Sequence, residues 1–149
     1  MPVGLIAQGD QRYFLPADTG IGQFDRILEF LALSKSEGGV ALETLLAQEE
    51  QLWGYHSSLI VITPSNRPDW VVALRELMRR RVRVAVVLLD GASFGGFFNT
   101  VDVVPHLYLA GIPPYLVQKG DDIPVALSRV YTSAEVEGSE QLEATEVQV

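Results

Sequence analysis

The chain has 149 residues and a mass of 16.4 kDa, and its 48% hydrophobic and 20% charged residues describe one ordinary globular domain, not a disordered segment. It has no cysteine, and its two histidines, His56 and His106, lie far apart, which removes disulfide frameworks, thiolate nucleophiles and zinc or iron–sulfur sites. A net charge of −8 argues against nucleic-acid binding through phosphate neutralisation.

Val3 to Ala7 is a short apolar run that ends at the turn signal Gly9-Asp10, and Arg12 to Leu15 reads as a second strand closed by Pro16. Together they predict a hairpin. Apolar residues then recur at helical spacing from Ile21 through Phe24, Ile27, Leu28 and Leu31, with Asp18 or Thr19 able to cap the start. Gly38-Gly39 breaks the chain before a second helix, expected from Val40 to Trp53 with Leu42, Leu45, Leu46 and Leu52 inward and Glu49-Glu50 outward. Leu59 to Ile62 is unbroken and mostly β-branched, as in a parallel strand covered on both faces. Pro68 suits the first turn of the next helix, whose buried stripe is Trp70, Val71, Leu74, Leu77 and Met78. Val82 to Leu89 is another buried strand, broken only by the charge of Arg83. Past the Gly-rich stretch from Gly91 to Gly96, a helix is expected from Val101 to Ala110, started or interrupted by Pro105 and ended by Gly111. Pro114 to Gln118 gives a last strand, and Asp122 can cap a helix from Ile123 to Arg129.

This alternation over residues 57–130 predicts an α/β fold, a mostly parallel Rossmann-like sheet with helices on both faces and the hairpin as an antiparallel edge or near-edge pair. Residues 131–149 hold five glutamates and no basic residue, so they carry −5 and leave −3 on residues 1–130. The folded domain is therefore expected at 1–130, with an acidic C-terminal tail at 131–149. The longest apolar run, Val84 to Leu89, is far short of the roughly 20 residues that span a bilayer. The first residues lack the basic region and apolar core of a signal peptide, so a cytoplasmic protein with no membrane partner is expected.

The succession VGLIAQGD, LP, QFDRILEFLA, SEGGVALETLL, SSLIVITPS, VRVAVVLLD and GIPPYLVQKGDD resembles the von Willebrand factor A-like fold. More narrowly, it resembles the C-terminal part of a bacterial domain-of-unknown-function family (number fifty-eight) often encoded beside MoxR-type AAA+ ATPases. The resemblance covers residues 3–130. It implies a protein–protein interaction module, with an AAA+ ATPase as the partner class.

Metal-binding members of the A-like fold use Asp-x-Ser-x-Ser after the first strand, a Thr after Gly-Gly, and an Asp after a later strand. This chain departs at each of them. It starts at what resembles the second strand, Val40 follows Gly38-Gly39, and Thr63-Pro64-Ser65 stands where Thr-Asp-Gly is wanted. No metal and no cofactor is expected. The family's first strand is also central to its sheet, so its absence leaves two ladders without a partner. The flanking strands close up, another chain supplies the strand, or the product is a fragment of a longer polypeptide. Association as a homodimer through exposed edges or apolar surface is the simplest expectation.

Gly91-Ala92-Ser93-Phe94-Gly95 matches the Gly-x-Ser-x-Gly nucleophile elbow after a strand, and Asp102 and His106 follow in hydrolase order. The competing reading is a flexible Gly-rich connection, favoured because no upstream His-Gly-Gly-Gly oxyanion loop exists. Arg79-Arg80-Arg81 with Arg83 is read as a helix C-terminus complementing the dipole, ahead of a patch for an acidic partner. Gly38-Gly39 is read as a helix-entry turn, ahead of an anion site. The expected function is a non-catalytic interaction module with a lost metal site, and a small serine hydrolase is the alternative. The expected binding surface is the loop end of the sheet, at Ser65, Asn66, Arg67, Asp90 and Ser93.

Overall fold

In a computed structural model, which describes residues 1–52, 56–132 and 134–135, the chain falls into two units, Met1–Gln48 and Glu49–Val149. Most of the expected tail, including Val136, Leu142, Val147 and four of its glutamates, lies outside the described residues, as do Trp53 and Tyr55.

In the first unit, β1 (Val3–Gln8) and β2 (Arg12–Asp18) form the expected hairpin, with Leu5 opposite Leu15 and Ala7 opposite Tyr13. Pro16 does not close β2. The register steps between Val3 and Leu5, and Pro16 sits at that irregularity, where an edge strand loses no ladder bond to proline. The hairpin stands as its own two-stranded sheet and adds no edge to the parallel one.

Helix α1 (Gln23–Leu33) is rotated from its expected setting. The buried Gln23 donates from Nε2 to the carbonyls of Val3 (2.6 Å) and Pro16 (2.9 Å), and Tyr13 meets Phe30 edge-on at 5.9 Å. These contacts turn the Gln23, Ile27 and Phe30 side to the hairpin and leave Phe24, Leu28 and Leu31 exposed. Asp18 does not cap α1. Its carboxylate accepts from the N–H groups of Thr19 and Gly20, and the helix starts after Gly22 without a side-chain cap.

Helix α2 (Leu42–Gln48) is half the expected length and gives way to a 3-10 turn at Glu50–Leu52. Glu49 is buried and Leu52 exposed, the reverse of the helical expectation, because the last residues no longer follow the 3.6-residue period. Gly38 has a packing reason to be glycine: a Cβ there would lie 2.5 Å from the carbonyl oxygen of Gly9.

The second unit is a three-stranded parallel sheet flanked by helices, loosely Rossmann-like. Its strands β3 (Ser58–Thr63), β4 (Arg83–Leu89) and β5 (Tyr115–Val117) run in the order β3-β4-β5. Ser58 pairs with Arg83 through to Thr63 with Leu88, and Val87 pairs with Tyr115. Val61, Thr63, Val86 and Leu88 on one face are buried, whereas Ile60 and Ile62 on the opposite face are each 65% exposed. Cover on both faces is thus not reached at β3. Helix α3 (Asp69–Arg79) begins just after Pro68 and buries Trp70, Val71, Leu74 and Leu77 as its stripe predicts, but leaves Met78 partly open. A 3-10 turn at Thr100–Val103 leads into α4 (Val104–Leu109), so Pro105 starts that helix. Helix α5 (Ile123–Ala126) is shorter than expected, and Asp122 caps it by accepting from Val125 N–H at 3.1 Å. Among the described residues no helix is long and apolar enough to cross a membrane.

Helices α3 and α4 end in the same motif with different residues at its left-handed position. After α4, Gly111 (φ 76°) donates to Tyr108 O and Ile112 to Leu107 O. After α3, Arg81 (φ 66°) donates to Met78 O and Val82 to Leu77 O. Both are Schellman caps, with the buried pairs Leu107/Ile112 and Leu77/Val82 providing the hydrophobic contact. A side chain in the left-handed region is strained, so Arg81→Gly should raise stability by about 1 kcal/mol, read as a higher urea midpoint at unchanged m. The charge lost with Arg81 offsets a few tenths of that gain. Arg79 is bonded to Glu76 at 2.8 Å, within the same helix end.

Candidate functional site

The three parallel strands release their chains at one end of the sheet, and a single buried hydroxyl ties two of the resulting loops. Thr100, fully buried, donates from Oγ1 to Pro64 O after β3 (2.8 Å) and accepts from Gly91 N–H after β4 (2.9 Å). Asp90, only 7% exposed, donates its N–H to Val117 O in β5 at 2.9 Å, and its Oδ2 accepts from Gln118 Nε2 at 3.0 Å. Its Oδ1 is buried with no hydrogen-bond partner among the described residues.

Ser93 sits in the 3-10 turn Gly91–Phe94 and is used twice by the fold. Its hydroxyl donates to Asp90 O (2.8 Å) and accepts from Lys119 N–H (2.9 Å). Gly96 N–H closes the turn on Gly91 O at 2.8 Å. The pinned loop then presents Phe94, Phe97 and Phe98, which are 53%, 99% and 71% exposed.

On the neighbouring loop, Ser65 donates its N–H to Thr63 Oγ1 at 3.1 Å and accepts at Oγ from Arg67 N–H at 3.3 Å. Arg67 reaches Asp69 at 3.1 Å, both side chains largely exposed, and Asn66 is half-buried between Ser65 and Arg67. Asp90 and Ser93 therefore share one hydrogen-bonded network, and the segment of Ser65, Asn66 and Arg67 joins it through Pro64 and Thr100.

The hydrolase arrangement is not assembled. The Ser93 proton is committed to a backbone carbonyl, Asp102 and His106 are exposed, and among the described residues no hydrogen bond joins the three. Ser93 also lacks the left-handed backbone of a strained elbow, which among non-glycine described residues occurs at His56 and Arg81. His56, like His106, is exposed rather than packed.

The donors at this end do not fit a divalent cation. Of the five expected residues only Asp90 carries a carboxylate, Thr63 Oγ1 already accepts from Ser65, and no three acidic or histidine side chains converge among the described residues.

A cleft of about 220 Å³ lies between β5, α5 and the segment that follows. There the Thr132 N–H and hydroxyl donate to Glu135 at 2.8 and 2.9 Å and hold its carboxyl below the ordinary 4.5, helped by Arg129 at 3.3 Å. Tyr131, expected to open the tail, is tied in: it donates to Pro114 O and accepts at its carbonyl from the Tyr108 hydroxyl.

Sequence reasoning did not find Thr100, Gln118 or the three phenylalanines. The repeated Phe beside Gly95-Gly96 was the available signal, since an uncharged aromatic loop has no reason to face water on its own account. Comparison with protein-family models, with curated proteins and with solved structures gives no match for the chain.

Proposed function

We propose that this chain is a non-catalytic interaction module of the von Willebrand A-like kind, with a degenerate metal site, that docks a protein partner through the loop end of its parallel sheet. The observation that carries this reading is the Phe97-Phe98 pair, 99% and 71% exposed on a loop pinned by Thr100 and Ser93. Exposed aromatic surface held on a rigid support marks a contact site, because its ordering entropy is already spent before the partner arrives. Ser93, Ser65, Asn66 and Arg67 supply the polar rim around it, and the buried Asp90 holds Ser93 and Gln118 in place behind that rim. The element order supports the A-like reading: a free-standing hairpin, followed by three parallel strands in sequence order, is what that fold leaves when its central strand is missing. The resemblance supplies the partner class, a MoxR-type AAA+ ATPase, and a bacterial setting.

Titration calorimetry against a purified MoxR-type ATPase tests this. Phe97→Ser and Phe98→Ser should each weaken binding by about 2 kcal/mol, roughly 30-fold in Kd, with unchanged thermal stability. Affinity that survives both substitutions rules out the aromatic loop as the contact.

A further inference from the structure

We propose that the open edge of β3 pairs antiparallel with the β3 edge of a second copy of this chain, with Ile60 on the two-fold axis. The proposal is independent of the loop-end reading, because it uses the side of the strand and not the loop at its end.

Among the described residues β3 has one neighbour, β4. Ser57 turns its carbonyl toward β4 and accepts from Arg83 N–H at 3.1 Å. Residues of a parallel strand alternate in the side to which they turn their backbone groups, so Ser58, Ile60 and Ile62 turn theirs to the open edge. Proteins blunt such edges with lysine, proline, bulges or inward charges, and β3 carries none of these. No charged residue occurs between His56 and Arg67.

The second copy is the occupant that this edge fits best. The three outward residues are symmetric about Ile60. A two-fold axis normal to the sheet keeps each face on its own side and pairs Ser58 with Ile62 of the second copy, Ile60 with Ile60, and Ile62 with Ser58. All outward groups are then bonded. Moving the axis to Val61 would set Ser58 opposite Pro64, which has no N–H to give. An uncharged strand also meets an uncharged strand, so like opposes like without repulsion. The 65%-exposed Ile60 and Ile62 of both copies become one continuous apolar stripe.

The absence of native cysteine makes the register directly readable. Ile60→Cys, Ser58→Cys and Ile62→Cys each carry a single thiol, to be treated with a cross-linker shorter than 10 Å, about the rise of three strand residues. Ile60→Cys should link to a species of twice the 16.4 kDa chain mass, because its Cα atoms stand about 5.5 Å apart across the axis. Ser58→Cys and Ile62→Cys should not link alone, since identical positions are then about 14 Å apart, but an equimolar mixture of the two should link. In sedimentation the wild type should run as a dimer, and Ile60→Lys, at a site two-thirds exposed, as a folded monomer with an unchanged circular dichroism spectrum. A wild type that is monomeric at every concentration, a dimer that persists in Ile60→Lys, or self-linking by Ile62→Cys in place of Ile60→Cys would each overturn the proposal.

Discussion

Replacing Thr100 with valine should destabilise the protein by about 2–4 kcal/mol, although the two side chains have the same shape. The hydroxyl is the only difference, and it serves two partly buried backbone groups at once: it donates to Pro64 O and accepts from Gly91 N–H, with no part of Thr100 exposed. Valine takes the hydroxyl away from one carbonyl and one N–H, and each such group, partly buried as these are, costs about 1–2 kcal/mol, the lower part of the range for an orphaned polar group. Thr100→Ser keeps both bonds and gives up one methyl, so it should cost only about 1 kcal/mol. Urea unfolding followed by circular dichroism separates the two, and a midpoint for valine above that for serine would show that the methyl, not the hydroxyl, carries the stability. Thr100→Val should also loosen the loop that presents Phe97 and Phe98. Partner affinity then falls under native conditions without any change to the contacting side chains, as expected where preorganisation contributes to binding.

The parts of this fold that could be read from the sequence are those decided locally. The unbroken β-branched runs gave β3 and β4, the 3.6-residue stripe gave α3, Gly111 gave the end of α4, and Asp122 gave the start of α5. Where two local answers were equally good, the distant contacts decided. Helix α1 carries two apolar faces, and nothing within its own sequence says that the amide of Gln23 will bond Val3 and Pro16, twenty and seven residues away. That bond, with Tyr13 against Phe30, picks the face that packs.

The same limit hid the site. Asp90 and Ser93 were visible because they follow a strand, but Thr100 acts through Pro64, which is 36 residues earlier. A threonine among glycines and phenylalanines reads as loop. Ser93 shows the converse: its motif had hydrolase spacing, yet hydrogen bonds to Asp90 and Lys119 absorb the hydroxyl into the turn. Spacing alone does not say whether a serine is available to react.

Trp70 is the second position where a large effect is expected, and it separates packing from polarity. The residue is fully buried in the first turn of α3, and its indole N–H has no partner among the described residues. Trp70→Ala should cost about 3–5 kcal/mol, the usual range for emptying a large aromatic site that only partly collapses. Trp70→Phe removes part of the ring but also the stranded N–H. The smaller cavity costs roughly 1–2 kcal/mol, and relief of an unsatisfied donor returns about 1–3 kcal/mol. Phenylalanine should therefore fall between about 1 kcal/mol less stable and about 2 kcal/mol more stable than the wild type, far from alanine. Because these variants remove one of the chain's two tryptophans, unfolding is better followed by far-ultraviolet circular dichroism than by fluorescence. If phenylalanine costs nearly as much as alanine, the N–H is satisfied in solution, most simply by a buried water, and the indole is held by polarity as well as by fit.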